Sequence, residues 1–325
     1  MFTEALEDIL RDHCTPATVR AIEDGGDPTP LWTAIADSGF LELLAPEAAG
    51  GAALPPEEFF PVLLVLGRYA VPLPLAQSMV ARTLLPEGAC PAGLLTIAPA
   101  VRREADGWLC PQVPFGAIAA QVLADDGQSL LLFDCADAER LPSGVAHGQS
   151  AGLRLRGEPQ RFARPGDALR AWGAALQAAL LAGGMGRAFE MTLQYGNERS
   201  QFGKSIGKFQ AVQHQLAVMA EQVAASRLAA QAAFVGTRDG RPGLLQAAMA
   251  KARTSEAVVP VAAIAHAVHG AIGVTAEYDL QLFTRRLHEG RMAYGSEAHW
   301  HPVVGQALID SGLPAVDFVR GLAVA

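Results

Sequence analysis

Cysteine is scarce in this chain. Cys14, Cys90, Cys110 and Cys135 lie far apart and form no CxxC pair. They read as reduced cytoplasmic thiols, which leaves no basis for a disulfide framework or a cysteine-built zinc site. Aromatics make up only 6% of the residues, too few for base-stacking platforms, and the formal net charge is −8 with no basic patch to track phosphates. Both argue against a nucleic-acid partner. Uninterrupted apolar runs of bilayer-spanning length are missing; the nearest, Val258 to Val268, is broken by Pro260. Met1 to Cys14 reads as an acidic amphipathic helix, not as a basic region followed by an apolar run. No membrane and a cytoplasmic location are therefore expected. Metal ligands do not gather either. His299 and His301, two apart on a helix, point to different faces, and His266 and His269 could share a face but lack a third ligand.

Charged residues are also few, at 18%, while half of the 325 residues are hydrophobic. Much apolar surface must be buried, in a large helical core or between subunits, and the length suits two or three domains. Residues 1–88 read as a helical domain: Phe2 to Leu10 has helical spacing, Pro30 to Gly39 is started by proline and stopped by glycine, and Glu57 to Tyr69 is a third helix. Pro72 and Pro74 punctuate the chain after that helix. Residues 89–162 read as a small β-domain, with short apolar runs at Leu94 to Ile97, Gly107 to Cys110, Ala117 to Ala124 and Ser129 to Asp134 separated by turn signals. Residues 163–325 carry four long apolar-striped patterns, at Asp167 to Asn197, Lys208 to Gly236, Gly243 to Gly270 and Tyr278 to Ser311. They predict an antiparallel four-helix bundle, so the fold class is mostly α with a small middle β-domain.

The stretch from Glu198 to His214 joins two of these patterns and gathers an arginine, glutamines and an aromatic within a short span. Those are the groups a planar-ringed, polyanionic dinucleotide calls for: a guanidinium fork for phosphate, amides for ring edges, a flat apolar surface for stacking. The same residues also suit an ordinary charged link. Arg199 could simply favour a helix C-terminus, Phe202 and Phe209 could belong to the core, and Gly270 could be a left-handed helix cap.

Three stretches carry a resemblance: Leu31 to Gly51 (LWTAIADSGFLELLAPEAAGG), Glu198 to Lys204 with Phe209 to His214 (ERSQFGK and FQAVQH), and Ala267 to Tyr278 (AVHGAIGVTAEY). With the domain order, they resemble the acyl-CoA dehydrogenase family of flavoproteins across nearly the whole chain. The resemblance implies FAD as cofactor and α,β-dehydrogenation of an acyl-CoA thioester. A carboxylate takes the α proton and the β hydrogen leaves as hydride to the flavin. It also implies that Arg199 binds the FAD diphosphate, in a neighbouring subunit. Gln201, Phe202, Phe209 and Gln210 would edge the flavin or adenine, and Gly270 and Gly273 would let backbone approach the ADP part. Gly295 joins this cofactor set beside the usual base position.

Departures from the family pattern point one way. Counting from Arg285, the base position holds Tyr294, whose phenol is a poor base at its ordinary pKa near 10. The alternative base position on the first bundle helix falls at or beside Gly173, and the arginine that many relatives use against CoA is matched by about Ala174. Ala267 and Ala271 replace a glutamine and a glycine, and the run from Ile97 to Arg103 has no Gly/Ser-rich loop. The expectation is therefore no catalytic residue in this chain. It resembles the shorter, base-lacking subunit of heterotetrameric bacterial enzymes of the steroid side-chain type. Its partners would be a longer paralogue, an acyl-CoA substrate and an electron-transfer flavoprotein. Two alternatives stand beside it: a self-sufficient dehydrogenase with a relocated base such as Glu289 (or Glu297), and a scaffold or acyl-CoA-binding protein without flavin.

Overall fold

The computed structural model describes residues 2–237 and 240–324. The N-terminal part is helical: α1 (Phe2–His13), α2 (Pro16–Glu23), α3 (Thr29–Asp37), α4 (Pro56–Arg68) and α5 (Leu75–Leu84). In α1, Leu6 and Leu10 recur one turn apart and are fully buried. The start of α2 is set by Thr15, whose hydroxyl accepts from the Thr18 amide, with Pro16 in the first turn where an N–H is not needed. α5 was hidden in the sequence because Pro72 and Pro74 read as a break. Pro74 in fact sits just before the first turn and costs the helix nothing.

The middle of the chain forms two four-stranded sheets. The strands are β1 (Leu95–Ile97), β2 (Arg102–Glu104), β3 (Gly107–Val113), β4 (Gln121–Asp125), β5 (Ser129–Asp134), β6 (Glu139–Pro142), β7 (Ala151–Leu155) and β8 (Gln160–Ala163). Their orders are β1-β4-β5-β8, with β1 parallel to β4, and β2-β3-β7-β6, antiparallel throughout. Trp108, Cys110 and Leu153 from one sheet meet Val122, Leu131 and Phe133 from the other in a core of their own. The run Ala117 to Ala124 is only half strand: residues 114–118 turn, and pairing begins at Gln121.

The C-terminal part comprises α6 (Ala168–Glu198), a hairpin of β9 (Ser200–Gln201) and β10 (Lys204–Ser205), then α7 (Gln210–Ala232), α8 (Leu244–His269), α9 (Leu280–Met292), α10 (Glu297–Ser311) and α11 (Ala315–Val324). α8 lies at the centre against α6, α7, α9 and α10. By length and composition Leu244–Val274 could cross a membrane, although Lys251, Arg253, Glu256 and Pro260 interrupt its apolar run; α8 serves here as a bundle helix.

The expected single helix from Tyr278 to Ser311 is two helices. The chain breaks between Met292 and Glu297, where Tyr294 (φ 55°) and Gly295 (φ 90°) take left-handed backbone. The cause lies on another helix. Lys251 of α8 is fully buried, and its Nζ donates to the carbonyls of Arg291 (2.9 Å) and Gly295 (2.7 Å) and lies 2.6 Å from the Ser255 hydroxyl. It gathers carbonyls that a continuous helix would have turned inward. Gly295 tolerates the break because it lacks a Cβ, which would meet the His299 ring at 2.6 Å.

One carboxylate ties the N-terminal part to the bundle. Glu23, at the end of α2, is 4% exposed at its side chain and accepts from both Arg285 (3.0 Å) and Arg286 of α9. Arg20 reinforces it with Asp279 at 2.6 Å. Glu23→Ala leaves two half-buried guanidinium groups unpaired and is expected to destabilise the chain by about 2–3 kcal/mol, read as a lower denaturation midpoint at unchanged slope. Glu23→Gln should lose about half of that.

Candidate cofactor and acyl site

The hairpin after α6 presents the expected cofactor residues together. Gln201 pairs with Lys204 across a two-residue turn formed by Phe202 (φ 53°) and Gly203 (φ 79°), a mirror-type turn that glycine favours and phenylalanine resists. The strain throws the Phe202 ring outward, 93% exposed, with Phe209 edge-on at 6.3 Å. Arg199 caps α6, and its exposed guanidinium makes no ion pair or side-chain hydrogen bond with a described residue. Gln210, exposed, opens α7. Gly270 (φ 66°) and Gly273 belong to the short turn that ends α8, and they adjoin the hairpin because Tyr195, one turn before Arg199, stacks on His269. An unpaired guanidinium, an exposed ring and a tight glycine turn on one rim fit the diphosphate and adenosine of a dinucleotide.

Gly295 stands apart from this group. It lies at the other end of α6, beside Tyr294, whose ring packs on Gly173: a Cβ at Gly173 would meet Tyr294 Cδ1 at 2.6 Å. Gly173 and Arg199 are separated by most of α6, about 39 Å at 1.5 Å per residue. The two positions where the resemblance places a base therefore face each other across one point, and neither carries a carboxylate. That point is filled. Tyr294 is 5% exposed, its hydroxyl donates to the Ile97 carbonyl at 3.0 Å, and Thr96 and Gln77 stand beside the phenol. Burial pushes the phenol far above its ordinary range, so Tyr294 stays protonated and cannot act as a base. Trp300 closes the break by donating from Nε1 to the Tyr294 carbonyl at 2.9 Å.

The relocated-base candidates are held elsewhere. Glu289 Oε1 accepts the Ser150 amide N–H at 2.6 Å, on the wall of a narrow apolar cavity of about 60 Å³ also lined by Leu66, Phe115 and Leu180. Glu297 is ion-paired to Arg291, whose hydrogen bond lowers its pKa. No group of three or more potential metal ligands stands together among the described residues. Sequence reasoning missed Lys251 altogether. Its one signal is a lone cation in the alanine-rich run Ala247 to Ala252, on the stripe that the neighbouring alanines mark as buried.

Residues 170–308 match the family model for the acyl-CoA dehydrogenase C-terminal domain. The acyl-CoA dehydrogenase IpdE2 of Mycolicibacterium smegmatis is 30% identical over 301 residues, covering 91% of this chain and 94% of its own length. IpdE2 of Mycobacterium tuberculosis is 30% identical, covering 89% and 90%. Among solved structures, a Tcur3481–Tcur3483 steroid ACAD variant superposes with a TM-score of 0.80 at 27% identity, covering 95% of this chain and 97% of its own. The ChsE4–ChsE5 complex of Mycobacterium tuberculosis shares the fold, with a TM-score of 0.82 at 23% identity and coverage of 96% and 97%. With relatives of this identity along nearly its whole length, the chain belongs to the acyl-CoA dehydrogenase family of flavoprotein oxidoreductases acting on the CH–CH bond of acyl-CoA.

Proposed function

We propose that this chain is the base-lacking subunit of a two-subunit, FAD-dependent acyl-CoA dehydrogenase. It lends Arg199, Gln201, Phe202, Phe209, Gln210, Gly270 and Gly273 to a cofactor shared with a longer paralogue. The observation that carries the reading is the contact between Gly173 and Tyr294. The two positions where the resemblance places a base meet there, and neither holds a carboxylate. That place is filled by a buried, protonated tyrosine. This chain therefore offers cofactor-binding groups at one end of α6 and no carboxylate base at the other. The flavin, when bound, supplies the hydride acceptor. This chain's part is to hold the diphosphate with the Arg199 fork and to shield the ring edge with Phe202, while proton removal falls to the partner.

Exposed apolar residues support assembly. Val218 and Leu228 on α7, and Ile309, Leu313 and Val316 around α10 and α11, point outward and call for a covering surface. The relatives' names, with their steroid ACAD and their ChsE4–ChsE5 complex, support a ring-bearing acyl thioester as substrate and a second chain as partner. The proposed setting is the cytoplasm, with an electron-transfer flavoprotein as acceptor.

Expressed alone, the chain should be colourless and inactive. Co-expressed with the longer paralogue it should give a yellow complex with one flavin per pair of chains. A yellow, fully active homo-oligomer would remove the proposal. In the active complex Glu289→Gln should keep at least about half of kcat, because Glu289 is tied to the Ser150 backbone amide, which the glutamine oxygen can still accept. A loss of a thousandfold or more would favour the relocated base instead.

A further inference from the structure

Beneath the Arg199 hairpin three rings pack together. His269 lies nearly face to face with Tyr195, centroids 4.5 Å apart and planes 27° apart. Tyr278 closes the group at 5.1 Å from His269 and 6.1 Å from Tyr195. The imidazole is pinned, because Nδ1 stands 2.7 Å from the Ala265 carbonyl and must carry the proton it donates. Nε2 is then an acceptor, and it is buried with nothing to accept from. Burial lowers the histidine pKa, which favours the neutral ring. An unpaired buried acceptor is a cost. The ring is held there by its flat face and not by that nitrogen.

Both ends of the group run directly into the cofactor rim. On one side the Arg199 amide donates to the Tyr195 carbonyl at 2.9 Å, and the Ile206 amide returns to the Arg199 carbonyl at 2.8 Å, closing the hairpin. On the other side His269 is followed immediately by Gly270, the first residue of the glycine turn. Two elements far apart in sequence are thus joined through one stack of short, stiff side chains.

We propose that Tyr195, His269 and Tyr278 form an aromatic strut that sets the span between the Arg199 guanidinium and the Gly270–Gly273 turn. His269 is then a positioning residue for the diphosphate and adenosine half of the cofactor. The inference rests on the cofactor role proposed for this rim. A phosphate fork must be held to within about half an ångström, and the hairpin alone, exposed on both strands, does not provide that.

The test is a titration of the flavin-depleted two-subunit complex with FAD, and with ADP as competitor because it carries only the diphosphate–adenosine half. His269→Ala should weaken both ligands about tenfold. His269→Phe keeps a flat ring, drops the orphaned acceptor and should bind within about twofold of the parent. In an Arg199→Ala background, His269→Ala should cost clearly less, about threefold, since only the glycine turn then remains to be displaced. An equal loss in both backgrounds, or no rescue by phenylalanine, overturns the strut. If Arg199→Ala alone leaves both ligands unaffected, the cofactor reading fails and the strut falls with it. Should His269→Ala not fold, Tyr195→Leu is read by the same criteria.

Discussion

Arg199→Ala in the assembled complex is expected to weaken FAD about a hundredfold, so that the flavin is lost on gel filtration. A guanidinium fork on a diphosphate makes charge-assisted hydrogen bonds of about 1.5–3 kcal/mol, and tenfold in affinity corresponds to about 1.4 kcal/mol. The substitution should leave folding nearly untouched, because this side chain is exposed and has no ion-pair partner among the described residues. The melting temperature of the isolated chain should therefore move by no more than about 1 °C. Arg199→Lys keeps the charge without the fork and should fall between, about tenfold weaker. Unchanged FAD affinity in Arg199→Ala would take this residue out of the site.

Lys251→Met should have the largest effect on stability, and the effect should depend on pH. The substitution strips the donor from two buried carbonyls, those of Arg291 and Gly295, and is expected to cost about 3 kcal/mol at pH 8.5. Burial pushes the Lys251 amine down to about 7, whereas in the unfolded chain a lysine titrates near 10.4. Between those values the unfolded chain holds the proton more firmly, so this residue's contribution to stability rises with pH across that window and is flat below about 7. From pH 7 to 8.5 the wild type should gain about 1.5 kcal/mol over Lys251→Met, which reduces the deficit at pH 7 to about half. Denaturation midpoints of both proteins at the two pH values measure it. A deficit that grows towards acid would contradict a buried amine with a lowered pKa.

What could be read from the sequence was local. The hairpin from Arg199 to Lys204 announces itself because its chemistry lies in consecutive residues, and α6, α7 and α8 follow from their apolar stripes. The order of helical, β and helical parts, and with it the family, was legible for the same reason. The break after Met292 was not, because the sequence around Tyr294 has nothing against helix except one glycine. The carbonyl-gathering cation comes from α8, about forty residues earlier. β2 and β6 were equally hidden: Arg102–Glu104 and Glu139–Pro142 are short and polar, and become strands only by pairing with β3 and β7. At the site, sequence counting found Gly173 and Tyr294 separately. Only the fold brings them into contact, since helices far apart along the chain close on one point.

That contact constrains what descendants of this chain can become. An acidic side chain cannot be introduced at position 173 while the phenol occupies the adjoining space, because even its first carbon would collide with the ring. An ionised glutamate at 294 would confront the Ile97 carbonyl with a second acceptor in a buried place. Position 173 can therefore take an acidic side chain only together with a smaller residue at 294, so the two places are coupled as one unit.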